Sequence, residues 1–520
     1  MKTKIKILNY LKRHAIACLY AIFYLFIHLL NLTALPVFAD ESIYIRWTQL
    51  IIDDWQQYLF FPLNDGKTPL HIWLQLPLQF LFSDQLYAAR VSSVFVGLIQ
   101  MGVMALLAKE LGGKKKSQYL AALLTAILPF WYFHHRMALM DGLLTLFLSL
   151  TLLGVIRLIK ARKNKILDIR YLILAGLFFG LSLLSKLPAV LFIPVLLFWS
   201  LIPNPTDFKR IFINLVKISL AIFIGLLIFL SLKLHPAFGQ LFARGSDFLF
   251  PAKEIFLQGK WLMTIRNLPS YLSYFSRYLT LPVLLLSIYG LFSKNNKGVF
   301  HLLFWSAVIF IFPIAIMGRV VYPRYFLPIS IFFTISAALA LEELINKIKS
   351  KKNIKFKTLY AILLAIFSAV IIQNSSFFIL YSLFSANNIP FVAADKVQYL
   401  HEWSSGHGIK ESSNFIKLQA KTKKIAIATE GSFGTLPDGI LMYLHRSNVD
   451  NIYVEGIGYP VKSIPEKFMN RAKDFDKIYL IVNSHRLEIP IAQNKLIKEY
   501  PRPNAAPTLQ IWNITNLIKN

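Results

Sequence analysis

The feature that most constrains this chain is a succession of apolar runs, nearly free of charge, each close to the thickness of a bilayer core. Residues 15–32, 137–156, 211–232, 299–317 and 360–384 are examples. A helix rises ~1.5 Å per residue, so ~20 such residues cross the hydrocarbon. The charge content agrees: 16% of the 520 residues are charged, where a soluble domain carries ~25%. A soluble globular protein is excluded. The formal net charge of +30 would suit a nucleic-acid binder. However, the Lys and Arg residues form no single patch. They cluster between the apolar spans, which is the signal that orients a membrane protein, so nucleic acid is excluded as a partner. The single cysteine, Cys18, lies in the first span; it allows no intramolecular disulfide and no Cys-based metal site.

The basic clusters thread the chain. Lys2, Lys4, Lys6, Lys12 and Arg13 precede the first span and place the N-terminus in the cytoplasm. Lys109 with Lys114–Lys116, Arg157 with Lys160, Arg162, Lys163 and Lys165, Lys209 with Arg210, Lys294 with Lys297, and the Lys-rich stretch 347–357 then all fall on that same side. About eleven spans result. Three segments lie on the outer side: 36–84, 233–277 and everything from 385 onward. The first holds Trp47, Trp55 and Trp73 in short amphipathic stretches suited to helices in the interface. The tail alternates strand-like runs (424–429, 451–455, 477–482) with helix-like ones (436–444, 465–472), which reads as a small α/β domain. The expected fold is therefore a membrane all-α domain, 1–384, with an outer loop at 36–84 and an extracytoplasmic α/β domain, 385–520. No internal repeat is evident.

Ionisable groups at the outer ends of spans are costly near lipid and point to function. Asp40-Glu41 follow the first span directly. Two adjacent carboxylates there suit a general base or a divalent-cation ligand, and equally a solvated loop with an N-capping Asp. Asp141 sits about a turn inside a span and needs a partner, for which Arg136, five residues earlier, is the nearest candidate. Lys67, Arg90, Arg136, Lys186, Arg244, Arg319 and Arg324 run against the positive-inside bias. Cations at that level suit phosphate, Arg as a fork and Lys as a point charge; snorkelling to lipid headgroups is the alternative. Adjacent His134 and His135 point about 100° apart on a helix, poor geometry for one metal, and read as interfacial histidines. Glu430-Gly-Ser-Phe-Gly434 joins a strand to a helix as a phosphate-cradling loop does, but it lacks the spacing of the nucleotide fingerprints.

The order of these features resembles the GT-C glycosyltransferases, and more narrowly the protein O-mannosyltransferase and lipid A aminoarabinose transferase group. The shared features are an acidic pair after the first span, Gly66-Lys-Thr-Pro-Leu70, Arg136 and Asp141 flanking a span start, Ser185-Lys-Leu187 and Arg324-Tyr325. They cover roughly residues 10–345. The resemblance implies that Asp40 is the catalytic base with Glu41 supporting it, and that Asp141 lines the same cavity. It further implies that Lys67, Arg136, Lys186, Arg324 and Tyr325 meet the phosphate of a polyprenyl-phosphate sugar donor. Thr68 stands where the family has Pro, and Leu187 where it has Gly. The acceptor would be a protein, lipid or glycan and the setting a bacterial or archaeal plasma membrane. No cofactor is implied with certainty, and a divalent metal is left open.

Other classes compete. A lipid-linked sugar transporter or flippase typically shows internal repeats and charges at the midplane, whereas here the charges gather at one face. A polysaccharide polymerase or ligase shares the many spans and the outer site, but is not expected to carry the acidic pair after the first span. A non-catalytic membrane scaffold would leave sugar transfer indifferent to Asp40.

Overall fold

The computed structural model describes residues 2–161, 165–201, 206–294, 296–350, 353–445, 447 and 451–519. Of the basic clusters, Arg162, Lys163, Lys351 and Lys352 lie outside the described residues. The chain forms two compact units: Met1–Leu30, Phe60–His71 and Val91–Leu383 in one, Asn31–Leu59, Ile72–Arg90 and Phe384–Asn520 in the other.

The first unit is helical. Among the described residues, eight helices are long and apolar enough to cross a membrane: Gln85–Glu110, Met140–Lys160, Asp168–Ser185, Phe208–Leu234, Leu262–Leu291, Lys297–Met317, Pro323–Lys349 and Ile354–Phe384. The apolar segments Ala15–Leu29 and Leu187–Leu201 are shorter. The run 115–134 is divided in two at Pro129, the first residue of the helix Pro129–His134. Burial sorts these helices: 89% of the apolar 18-residue stretch within Pro323–Lys349 is buried inside the protein but only 17% of that within Ile354–Phe384, so the former is central and the latter presents its apolar surface outward. Lipid tails are as apolar as Leu, so helices here associate by close packing rather than by the hydrophobic effect. Lys165–Ser185 shows how. Its Gly176 and Gly180 are spaced as Gly-x-x-x-Gly, and a Cβ on either would come within 2.7 Å of Ile224 or Ile228 of the neighbouring helix Phe208–Leu230.

The second unit pairs the segment after the first span with the tail. Its sheet has the order β2-β1-β3-β5-β4, with β1 Ile425–Thr429, β2 Ile452–Gly456, β3 Lys477–Asn483, β4 Leu496–Tyr500 and β5 Leu509–Asn513. β1 pairs in parallel with both β2 and β3, and β5 runs antiparallel to β3 and β4. β1 reads Ile-Ala-Ile-Ala-Thr and is buried throughout, as a central parallel strand covered on both faces must be. The expected strands 424–429, 451–455 and 477–482 are β1 to β3; β4 and β5 were not anticipated. Helices are present in the segment where they were expected, at Ala39–Asp53, Trp55–Tyr58 and Leu70–Leu81. Ala39–Asp53 is joined to the tail by Ala39 N–H to the Ser404 carbonyl (2.9 Å), Ser42 Oγ to the Gly434 carbonyl (2.8 Å) and Gln49 Nε2 to the Met442 carbonyl (2.9 Å).

Candidate active site

Adjacent helix residues point in different directions, and in the second unit this separates the acidic pair. Phe38 is the N-cap of Ala39–Asp53, and Glu41, at the third helical position, turns back so that its Oε2 accepts the Phe38 N–H at 3.0 Å. This is the carboxylate half of a capping box. Arg90 completes the arrangement, donating from Nε to Glu41 Oε1 (2.8 Å) and from Nη2 to Oε2 (2.7 Å). Both side chains are buried, at 1% and 0% exposed. The remaining guanidinium protons hold the chain just before the helix: Nη1 donates to the Leu32 and Leu35 carbonyls (2.9 and 2.8 Å) and Nη2 to that of Pro36 (3.1 Å). Asp40 is partly exposed at the second helical position. One carboxylate is thus held by Arg90, and its neighbour is partly exposed at the start of the same helix. Arg90 was noticed in the sequence only as an outward cation; its partner is 49 residues away and no local pattern announces it.

In the first unit, Asp141 lies in the first turn of Met140–Lys160. Its partner is Lys186, whose Nζ donates to Oδ1 at 2.6 Å. The expected partner, Arg136, is used elsewhere. The chain is non-helical between Pro129–His134 and Met140, so a five-residue spacing does not place Arg136 over Asp141. Arg136 Nη1 instead donates to the carbonyls of Ile27 (3.1 Å), His28 (2.6 Å) and Leu30 (3.0 Å). These carbonyls end the first helix and have no intrahelical partner; a cation there also meets the negative end of the helix dipole.

Lys186 Nζ stands 4.9 Å from the centre of the Tyr325 ring, and the Arg324 guanidinium lies 5.7 Å from the same ring and 5.3 Å from that of Tyr322. Asp141, Lys186, Arg324 and Tyr325 therefore form one cluster, with aromatic faces holding the cations. Lys67 belongs to another pairing: its Nζ lies 5.3 Å from the Phe248 ring, which Arg244 also faces at 5.8 Å while bonding Asp65 at 2.6 Å. Gly66, at φ +70°, gives the left-handed turn that precedes Lys67.

The two histidines are packed inside the protein rather than exposed at its surface. His134 and His135 are 1% and 0% exposed. His135 stacks on Trp131 at 5.4 Å, and His134 packs against Phe130 and Phe133. Gly97 makes room beside them, since a Cβ there would fall 2.0 Å from the Tyr24 hydroxyl and 2.4 Å from His135.

Among the described residues no three His, Cys, Asp or Glu side chains gather to hold a metal ion, and both Glu41 oxygens already accept from Arg90.

Residues 66–233 match the family model described as dolichyl-phosphate-mannose-protein mannosyltransferase. That stretch holds Lys67, Arg136, Asp141 and Lys186. Among solved structures, ArnT from Cupriavidus metallidurans in the apo state aligns with a TM-score of 0.63 at 13% identity, over 97% of this chain and 99% of that one. ArnT bound to undecaprenyl phosphate aligns at 0.56 and 15% identity, over 95% and 97%. The archaeal oligosaccharyltransferase AglB from Archaeoglobus fulgidus, in complex with an inhibitory peptide and a dolichol-phosphate, aligns at 0.56 and 13% identity, over 91% and 69%. No curated protein sequence matches the chain. The fold is that of the GT-C glycosyltransferases, and the protein is a multi-pass membrane protein.

Proposed function

We propose that this protein is a membrane glycosyltransferase that moves a sugar from a polyprenyl-phosphate donor to an extracytoplasmic acceptor, with Asp40 as the base. The observation that carries the reading is the division of labour in the acidic pair: Glu41 is tied to Arg90, while Asp40 is presented on the same helix start. In the reaction Asp40 takes the proton of an acceptor hydroxyl. The hydroxyl oxygen forms a bond to the anomeric carbon as the bond from that carbon to the phosphate oxygen breaks. The electron pair leaves on the polyprenyl phosphate. A single displacement of this kind inverts the anomeric centre.

The leaving phosphate gains charge in the transition state, and fixed cations aimed at it stabilise that change. Lys186 and Arg324, steadied by Asp141 and Tyr325, serve this role together with Lys67. Arg136 acts one step removed, by closing the end of the first helix. ArnT and AglB, both of this fold, have been solved with undecaprenyl phosphate and dolichol-phosphate bound, which supports a lipid-phosphate donor. The basic clusters support a cytoplasmic N-terminus, a membrane part over 1–384 and an extracytoplasmic domain over 385–520, in a bacterial or archaeal plasma membrane. Cytoplasmic nucleotide sugars do not reach that side, which again favours a lipid-borne donor.

The test is to supply purified protein in sealed lipid vesicles with radiolabelled polyprenyl-phosphate sugars and membrane extracts as acceptor. Release of polyprenyl phosphate with label in an inverted linkage is the expected result. Movement of intact donor across sealed vesicles with no release of phosphate would replace this reading with the transporter one.

A further inference from the structure

The tail carries polar groups that the transfer chemistry does not use, and the sheet topology gathers them. In the order β2-β1-β3, the chain leaves β1 toward β2 on one side and returns to β3 on the other. Ligands of open α/β sheets bind beyond the carboxyl ends of the strands at such a reversal, here between β1 and β3. Glu430 directly follows β1, Asn483 ends β3, and Arg486 follows three residues later. Glu430 is 1% exposed and accepts from Asn483 N–H (2.8 Å), Asn483 Nδ2 (2.6 Å) and Arg486 Nη1 (3.4 Å). The Arg486 guanidinium lies between two rings, 4.7 Å from Trp403 and 4.4 Å from Tyr459. The loops after β1 and β2 are tied by reciprocal backbone bonds between Gly431 and Gly458. They carry Phe433 and Tyr459, 51% and 64% exposed.

The buried polar groups here are incompletely matched. Asn483 Oδ1 and Arg502 Nε are both buried and have no hydrogen-bond partner among the described residues. A buried carboxylate opening the loop after β1 disfavours phosphate, and that loop lacks nucleotide-binding spacing. Hydroxyl groups both donate and accept, so they suit a planar guanidinium edge beside a carboxylate. The C–H face of a pyranose suits the negative face of an exposed aromatic ring. This edge also bears on the helix that carries Asp40: Gly434 accepts from Ser42 Oγ at 2.8 Å, and Thr435, next to it, donates its hydroxyl to the Trp403 carbonyl at 2.5 Å.

We propose that the carboxyl edge of β1 and β3 is a saccharide-binding subsite, with Tyr459 as its stacking platform and Arg486 as its polar anchor, which receives a sugar unit of the acceptor. That the sugar belongs to the acceptor rests on the transfer reading above; that the edge binds a saccharide does not.

The experiment is saturation-transfer difference NMR on the full chain in nanodiscs prepared without sugar-based detergent. The probes are the methyl glycosides of glucose, galactose, mannose and N-acetylglucosamine. Wild type is expected to enhance the ring protons of at least one probe. Tyr459→Ala, compared with wild type at matched melting temperature, is expected to weaken that signal at least tenfold. Asp40→Asn is expected to keep it, so a failed transfer assay and a failed subsite are told apart. No enhancement with any probe, or an equal signal in Tyr459→Ala, overturns the proposal.

Discussion

Replacing Arg90 by Met tests the architecture that separates Asp40 from Glu41. The guanidinium makes two bonds to the Glu41 carboxylate and three to the carbonyls of Leu32, Leu35 and Pro36, all at 3.1 Å or less. Hydrogen bonds to charged groups each contribute ~1.5–3 kcal/mol. The two to Glu41 alone therefore suggest ~3–6 kcal/mol, in line with the ~3–5 kcal/mol lost when one partner of a buried ion pair is removed. Arg90→Met leaves a buried anion and three carbonyls without their donor, so it should cost the full amount. Glu41→Gln keeps an acceptor oxygen for Arg90 and should cost about half, ~2 kcal/mol. The double variant should cost less than the sum, with a coupling of ~1–3 kcal/mol. The assay is chemical denaturation of the purified protein, followed by tryptophan fluorescence, to which Trp47, buried in the same helix, contributes. If both single variants lie within ~0.5 kcal/mol of wild type, or if their effects simply add, the buried pair does not hold this helix start.

Other expectations follow from the same geometry. Lys186→Met should lower sugar transfer by ~10²-fold or more, as loss of one transition-state charge contact does, and Asp141→Asn should lower it less because the cation remains; steady-state transfer kinetics check the order. Burial, and secondarily the Arg502 charge, hold His407 down to about 4. Its neutral form is favoured in the fold, so its stabilisation is complete above ~6.5, the unfolded value, and is lost as pH falls toward 4. The difference corresponds to at most ~3 kcal/mol. Melting between pH 7.5 and 4.5 should show a decline that His407→Ala reduces, and an identical slope in both proteins would contradict it. Gly97→Ala should destabilise by ~1–3 kcal/mol through overpacking, whereas Gly102→Ala, with open space around its Cβ in the middle of a helix, should stabilise by up to ~1 kcal/mol in the same melts.

The sequence announces what depends on local chemistry. Twenty-residue apolar runs mark spans because the bilayer imposes their length, and the amphipathic stretches of 36–84 mark the helices there. β1 and β3 are readable because covered parallel strands need continuous apolar residues. β4, Leu-Ile-Lys-Glu-Tyr, was missed because it lies at the end of the sheet and its middle residues face solvent. β5, Leu-Gln-Ile-Trp-Asn, was missed although its alternation is that of a half-buried strand. Pairings between distant residues were not readable at all. Glu41 with Arg90 and Asp141 with Lys186 join positions 49 and 45 residues apart, and only the packing of helices brings them together. Arg136 shows the converse, since a short spacing suggested a partner that the break before Met140 rules out.

The measurement that bears most directly on the central claim is sugar transfer by Asp40→Asn, at matched abundance and matched melting temperature. The proposed mechanism predicts a loss of at least ~10²-fold, the scale of general-base catalysis, with binding of polyprenyl phosphate retained. Transfer within threefold of wild type would remove Asp40 from the chemistry and with it the account of why the acidic pair is divided.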